Sequence, residues 1–199
     1  PTLTPEDWRQ IVGLYDAELL YLDEQIGRLV EGLRARGLYD RTIIVVTADH
    51  GELFGEHGLA NHFKSLSEEE IRVPLVVRYP PALRPGRVTA PAQLVDVLPT
   101  LRDLVGLSTT QTMDGRSLVP MIDGAEAADP AAEVFSFLVR APERGFPHTA
   151  PGHLVSVRSG SRKFIWSSTG KHAYYDLASD PTAPRNAYGD TSEVTTLAG

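Results

Sequence analysis

The stretch 42-TIIVVTADHGELFGEHG-58 joins an unbroken apolar run to a loop that is crowded with acids and imidazoles. Residues 42–47 show no polar alternation, which is typical of a central strand covered on both faces in a parallel α/β sheet. In such sheets, ligands bind beyond the carboxyl ends of the strands. The strand therefore predicts a binding site at Asp49 and His50, where Gly51 lets the backbone turn sharply.

A long helix is predicted before this strand, over residues 5–36. Thr4 suits the N-cap, Pro5 the first helical position and Gly37 the C-terminal end. Because a strand follows at once, we interpret the apolar stripe of this helix as a face that lies on a sheet rather than a coiled-coil seam. The stripe consists of Trp8, Val12, Tyr15, Leu19, Leu22, Ile26, Leu29 and Leu33.

The remaining pattern predicts an α/β fold in two parts. A second apolar run at 73–80 predicts another strand, and residues 93–106 predict a helix with Asp96 at its N-cap. We assign residues 1–122 to a parallel or mixed sheet with flanking helices, and residues 123–199 to a small antiparallel sheet subdomain with a wrapping tail. The strands predicted in the second part are 134–139, 153–159, 162–168 and 173–177, with a hairpin turn at 159–161.

Composition excludes several kinds of site and partner. The chain has no Cys, which excludes a disulfide scaffold, a cysteine-ligated zinc site and a thiolate nucleophile. A net charge of -7 without a basic stripe argues against nucleic-acid and acidic-membrane partners. No apolar run approaches the roughly 20 residues that a membrane span needs. The start, PTLTPEDW, has neither an initiator Met nor a signal-peptide pattern, so we interpret the chain as entered partway through.

Asp49 and His50 are the candidate metal ligands. A carboxylate and an imidazole on adjacent residues can both reach one divalent cation when the strand end is irregular. Ca²⁺ and Mg²⁺ prefer more oxygen ligands, whereas an Asp/His pair also suits Mn²⁺ or Zn²⁺. Two ligands do not hold a metal, so at least two more must come from elsewhere. The alternative interpretation is a polar turn with Asp as a cap, which a lone Asp-His-Gly tripeptide would favour.

The loop after this pair adds His57, His62 and Lys64. Three imidazoles and an ammonium near a metal suit an anionic substrate, such as a sulfate or phosphate ester. Glu52 and Glu56 are either partners of the imidazoles or solvated loop charges. The other histidines, interpreted as surface or packing residues, are His148, His153 and His172.

Several segments together resemble the C-terminal half of sulfatases in the alkaline phosphatase superfamily. The resemblance spans nearly the whole chain and keeps the family's order of motifs; it is highly specific for the superfamily and less so for sulfatases against their relatives. The segments that carry it are 15–58, 71-IRVPLVVRYP-80, 95-VDVLPTL-101, 114-DGRSLVPMI-122, 162-RKFIW-166 and 174-YYDLASDPTAPRN-186.

This resemblance implies an alkaline-phosphatase-like core in residues 1–122 and assigns roles at the strand end. Asp49 and His50 would bind a divalent metal, Ca²⁺ first, with Mg²⁺ or Mn²⁺ as alternatives. His57, His62 and Lys64 would lie near the substrate anion and the leaving-group oxygen. The family commonly has Gly and then an aromatic where this chain reads FKSLS, so the resemblance leaves open whether His62 or Lys64 contacts the anion.

The family's nucleophile is a formylglycine made from Cys or Ser in a C/S-x-P-x-R motif, and its remaining metal carboxylates lie near the N-terminus. The nearest approach here, SDPTA at 179–183, lacks the Arg. The resemblance therefore implies the C-terminal part of a metal-dependent sulfuric ester hydrolase. The sequence does not fix the compartment, for which we expect the bacterial cytoplasm or periplasm. We expect this chain alone to bind metal weakly and to be inactive.

Two alternatives stay open. One is a fragment of a phosphodiester or phosphonate monoester hydrolase, since Asp49 and His50 serve either chemistry. The other is a non-catalytic binding or assembly module, in which exposed apolar surface would allow a homo-oligomer.

Overall fold

The computed structural model describes residues 3–108, 110–125, 127, 129–140, 152–180 and 185–189. The helices are α1 (Pro5–Ala35), α2 (Glu68–Ile71), α3 (Val97–Leu104) and α4 (Val119–Ile122). The strands are β1 (Ile44–Thr47), β2 (Leu53–Phe54), β3 (Ala60–Asn61), β4 (Leu75–Arg78), β5 (Glu133–Arg140), β6 (Gly152–Ser159), β7 (Arg162–Ser167) and β8 (Ala173–Asp176).

The α/β class and the C-terminal antiparallel sheet are confirmed. Strands β5 to β8 pair in chain order as one antiparallel sheet, and Gly160 turns between β6 and β7 with a φ of 59°. Strand β1 pairs with β4, and β2 pairs with β3. His148 and residues 181–184 of the tail, which carried sequence predictions, lie outside the described residues.

The start of α1 is the predicted one. The Thr4 hydroxyl accepts a hydrogen bond from the Asp7 backbone N–H at 3.2 Å, and the Asp7 carboxylate accepts one from the Thr4 backbone N–H at 2.7 Å. This reciprocal capping box satisfies backbone donors that have no partner within the helix. At the other end, Gly37 adopts a φ of 65°, which stops the helix.

The prediction that α1 lies on the sheet is wrong for the described part of the chain. No residue of α1 is buried, and Leu29 of the apolar stripe is 64% exposed. A helix of 31 residues is about 46 Å long, whereas a four-residue strand spans only about 13 Å. The helix instead contacts β2, where the rings of Tyr15 and Phe54 lie 5.0 Å apart.

Strands β1 and β4 differ from prediction in burial, and their direction is that of a mixed rather than a parallel sheet. They pair antiparallel, with Val45 opposite Val77, because the connection between them folds at the strand ends and does not cross the sheet. On one face, Val45 and Val77 line a small cavity together with Leu101 of α3. On the other face Val76 is 57% exposed, so β1 is covered on one face and not on both.

Asp96 does occupy the N-cap position of α3, but its carboxylate makes other bonds. It accepts hydrogen bonds from the backbone N–H of Gln93 at 2.8 Å and of Arg116 at 2.9 Å. This buried side chain therefore ties the start of α3 to the segment that leads into α4.

The C-terminal sheet is joined to the rest of the chain by an ion cluster around the buried Lys163 side chain. The Glu68 carboxylate of α2 accepts hydrogen bonds from the Arg158 guanidinium at 2.6 Å and the Lys163 ammonium at 2.8 Å. Lys163 is 1% exposed. Burial lowers the pKa of the Lys163 ammonium, and Glu68 opposes that shift without cancelling it. Glu68 is therefore the main charge partner of the lysine, and Glu69 adds a smaller favourable interaction.

We expect Glu68→Gln to lower the free energy of unfolding by about 3 kcal/mol, because removing one member of a buried pair leaves the other charge uncompensated. Urea denaturation followed by circular dichroism measures the loss. Glu24→Gln is the matched control, since it breaks an exposed ion pair on α1 and should cost less than about 0.5 kcal/mol. Equal losses in the two variants would contradict the role assigned to Glu68.

Candidate active site

The site is built around the β2–β3 hairpin. Leu53 pairs with Asn61 and Phe54 with Ala60, and the Leu53 side chain is 1% exposed, so it anchors the hairpin in the interior. Gly55 adopts a φ of 109° at the turn, where it packs against the Trp8 ring of α1. The hairpin thus fixes the residues on either side of it relative to the end of β1.

Asp49 and His50 lie together at the end of β1, as predicted. The Asp49 side chain is 90% exposed, and its Oδ2 lies 3.7 Å from His50 Nε2. His50 Nδ1 donates a hydrogen bond to the Gly51 carbonyl at 2.8 Å. A carbonyl oxygen only accepts, so this bond fixes the tautomer and leaves Nε2 as the nitrogen available to a ligand.

Two rings, those of His62 and Phe63, pack beside this pair. The His62 ring lies 4.4 Å from that of His50 and 4.5 Å from that of Phe63, while His50 and Phe63 are 5.0 Å apart. The predicted site residues His50 and His62 are therefore brought into contact. The sequence analysis assigned no role to Phe63. Loop residues lack the hydrophobic periodicity of helices and strands, so nothing in the sequence marked this ring as a packing residue.

Glu52 is a partner of an imidazole and not a solvated loop charge. His62 Nδ1 donates a hydrogen bond to Glu52 Oε2 at 2.9 Å. Within the described residues, the other carboxylate oxygen of Glu52 is buried and has no hydrogen-bond partner. The backbone is unusual on both sides of His62, since Asn61 and Phe63 have φ values of 64° and 61°.

Helix α2 holds the rest of the loop with two consecutive carboxylates. Glu69 accepts a hydrogen bond from His57 Nε2 at 3.2 Å, and Glu70 accepts bonds from the backbone N–H groups of Lys64 at 3.0 Å and Ser65 at 2.6 Å. Burial alone would raise the pKa of the Glu69 carboxyl, but hydrogen bonds from its own backbone, from Ser67 and from His57 together lower it.

The predicted catalytic residues are thus held in different ways. His62 packs on His50, whereas His57 is bound to Glu69 and Lys64 is fixed through its backbone.

Sequence reasoning missed Glu69 and Glu70. A run of three Glu after Ser67 marks the first turn of a helix, but it does not show which groups those carboxylates bind. Of the histidines assigned to packing, His172 is confirmed, since its ring lies between those of Trp166, Phe164 and Tyr188.

The two candidate metal ligands lie within reach of one another. A gap of 3.7 Å between Asp49 Oδ2 and His50 Nε2 is shorter than two metal–ligand bonds of about 2.0–2.5 Å each, so one cation can contact both atoms. Across the ranges that the structure describes, no cluster of three or more His, Asp or Glu is arranged to hold a metal.

None of the helices in the described ranges is long and apolar enough to cross a membrane.

Comparison with known proteins gives matches along the whole chain. The family model "Sulfatase" matches residues 2–107, and the model "N-sulphoglucosamine sulphohydrolase, C-terminal" matches residues 55–198. Choline-sulfatase of Rhizobium meliloti is 36% identical over 90% of this chain and 33% of its own length. N-acetylglucosamine-6-O-sulfatase of Bacteroides thetaiotaomicron is 32% identical over 92% of this chain and 33% of its own length.

Among solved structures, the phosphonate monoester hydrolase of Agrobacterium radiobacter superposes with a TM-score of 0.83 at 28% identity. The match covers 97% of this chain and 40% of that one. The chain spans about a third of the length of the curated relatives that it matches.

Gly51 is the position where a side chain would disturb this site most directly. Its backbone N–H donates to the Glu70 carbonyl at 2.7 Å, and an added Cβ would lie 1.9 Å from the Glu69 carbonyl oxygen. We expect Gly51→Ala to lower the free energy of unfolding by at least about 2 kcal/mol, because backbone must move.

Urea denaturation measures this loss, and Gly13→Ala is the control. An added Cβ at Gly13 meets nothing within 4 Å, so this change should stabilise α1 by about 0.5–1 kcal/mol. A Gly51→Ala chain as stable as the unchanged protein would show that α2 does not pack closely on the strand end.

Proposed function

Because the chain belongs to the sulfatase family, whose model matches residues 2–107, we propose that it supplies part of the active site of a metal-dependent sulfuric ester hydrolase. The observation that carries this proposal is the pair of ligand atoms at the end of β1, with Asp49 Oδ2 3.7 Å from His50 Nε2. The His62 ring packs directly on the second of these ligands.

Asp49 and His50 would hold a divalent cation, with Ca²⁺ the first candidate and Mg²⁺ or Mn²⁺ the alternatives. When bound, the cation supplies positive charge that stabilises the charge developing on the oxygens of a sulfate ester. His50 presents Nε2 because its Nδ1 proton is held by the Gly51 carbonyl. The residues present fit two positions of a metal site, and the other ligands come from outside these two residues.

His57, His62 and Lys64 would lie near the substrate anion and the leaving-group oxygen, where the Lys64 ammonium donates hydrogen bonds and each imidazole does so when both of its nitrogens carry a proton. Glu69 accepts a hydrogen bond from His57, which orients that ring. Glu70 binds the backbone of Lys64 and Ser65, which places the segment after His62 beside α2. A preorganised set of donors is effective because it needs no rearrangement when negative charge builds up on the ester.

The nucleophile is not supplied by this chain. The 199 residues contain no Cys, and the stretch nearest to C/S-x-P-x-R, at 179–183, lacks the Arg. Without a nucleophile the metal and the imidazoles have no covalent path to support, so the isolated chain should not turn over an ester.

A second candidate is a phosphonate or phosphate ester hydrolase. It is favoured by the match to the phosphonate monoester hydrolase of Agrobacterium radiobacter, whose identity to this chain is 28%. Asp49 and His50 serve both reactions equally, since each has an anionic ester with oxygens to be neutralised. The two candidates differ in the substrate that is hydrolysed faster.

We expect Mn²⁺ to broaden the backbone amide signals of Asp49, His50 and Gly51 before others in the NMR spectrum of the labelled chain. Two ligands should give a dissociation constant on the order of 1 mM. Asp49→Asn should abolish this selective broadening, whereas Asp23→Asn on α1 should leave it unchanged. Broadening that survives Asp49→Asn, or that is centred elsewhere, would refute the metal site.

We expect the product of the complete gene to hydrolyse an aryl sulfate faster than an aryl phosphonate. In that protein Asp49→Asn should lower kcat/KM by about 100-fold, the loss of about 2.7 kcal/mol of transition-state stabilisation. The 199-residue chain should show no turnover above buffer. Faster phosphonate hydrolysis would support the second candidate, and metal-dependent turnover by the isolated chain would contradict the placement of the nucleophile.

A further inference from the structure

The contact between Glu52 and His62 follows from the register of the β2–β3 hairpin. Leu53 is opposite Asn61, and Phe54 is opposite Ala60, so Glu52 and His62 form the next cross-strand position outward. Directly opposite residues in an antiparallel pair have Cβ atoms about 4.5–5.5 Å apart. The hydrogen bond of 2.9 Å between them is therefore placed by the hairpin itself.

The His62 ring is fixed by three neighbours. Glu52 binds Nδ1, the His50 ring lies 4.4 Å away at an angle of 33°, and the Phe63 ring meets it edge-on at 4.5 Å and 88°. Left-handed backbone at Asn61 and Phe63 turns the chain on each side of the ring. Non-glycine residues adopt this conformation uncommonly, and such positions cluster at functional sites.

Stability alone does not explain a glutamate at this position. Among the described residues, Glu52 Oε1 is buried and has no hydrogen-bond partner. A buried carboxylate oxygen without a partner is unfavourable, and an apolar side chain on the hairpin would remove that cost. Residues that break a local rule in this way are expected where function requires them.

We propose that Glu52 is a positioning residue, which holds His62 in the tautomer protonated at Nδ1 and so presents Nε2 to the substrate. A carboxylate only accepts hydrogen bonds, so the ring nitrogen that faces it carries the proton. Nε2 then carries the lone pair of the neutral ring, so it can accept a hydrogen bond or a proton from a group bound beside the cation that His50 would hold. The assignment of the tautomer does not depend on the proposed function. Only the contact between His62 and an ester rests on the proposed function.

The tautomer of His62 can be read directly from ring nitrogen shifts of the labelled chain. At about pH 8.5 an ordinary imidazole is neutral, so long-range proton–nitrogen correlation distinguishes the two neutral forms. We expect His62 to be protonated at Nδ1. His57, which donates to Glu69 through Nε2, serves as the internal reference with the opposite tautomer.

Two substitutions at Glu52 separate positioning from simple packing. Glu52→Gln keeps an oxygen that accepts from Nδ1 and should keep the tautomer. Glu52→Ala should lower the ratio of the Nδ1–H to the Nε2–H form by about tenfold, the effect of one lost charge-assisted hydrogen bond. His62 protonated at Nε2 in the unchanged chain, or a ratio that Glu52→Ala does not move, would overturn the proposal.

The amide shifts of Leu53 and Asn61 report whether the hairpin remains formed in these variants. If Glu52→Ala disorders the hairpin, the unchanged chain and Glu52→Gln decide the outcome. Nδ1 protonation in both then supports the proposal, and Nε2 protonation in either overturns it.

The product of the complete gene tests the contribution to catalysis. Glu52→Ala should lower kcat by about 10- to 100-fold and change KM by less than about twofold, as losses of ligand-orienting partners do. The double variant Glu52→Ala/His62→Ala should have the same kcat as His62→Ala alone, because Glu52 acts only through His62. An additive loss would overturn the catalytic part. A gene product that hydrolyses no ester would refute the proposed function and leave the tautomer result standing.

Discussion

The buried contact between Glu68 and two cations of the C-terminal sheet determines how the described parts of the chain fit together. Arg158 and Lys163 reach this carboxylate from residues 90 and 95 positions further along the chain. A buried ammonium is tolerated only when a negative charge lies beside it. Lys163 lies within β7, so its ammonium could reach water only if that strand lost its pairing. The ammonium therefore keeps its bond to Glu68 and holds the helical turn that carries Glu68 against the sheet.

The same helical turn is the support of the candidate site. The next two residues, Glu69 and Glu70, bind His57 and the segment at 64–65, and the Glu70 carbonyl accepts the Gly51 N–H. Three consecutive glutamates thus connect the C-terminal sheet and the histidine loop through their carboxylates, and the end of β1 through the Glu70 backbone carbonyl. The positions of groups proposed to face a sulfate ester are therefore set in part by a sheet that carries none of the proposed ligands.

Local features could be predicted from the sequence, because their signals lie within a few residues. The capping box of Thr4 and Asp7 and the turn at Gly160 are of this kind. The burial of each strand face could not be predicted. An apolar pattern such as that of β1 shows which side chains are hydrophobic, but not whether other residues of this chain pack over them. The sequence suggested that Glu52 could bind an imidazole but did not identify His62, because two-residue strands carry too little alternation to fix a register.

The exposed valines of β1 and β4 and the leucines along α1 give the folded chain large apolar surfaces, such as the one around Val76. Folded copies are kept apart mainly by the net charge of -7. The Debye length falls from about 30 Å at 0.01 M salt to about 8 Å at 0.15 M, so this repulsion is short-ranged under physiological conditions. Raising the ionic strength should therefore lower the concentration up to which the chain stays dispersed.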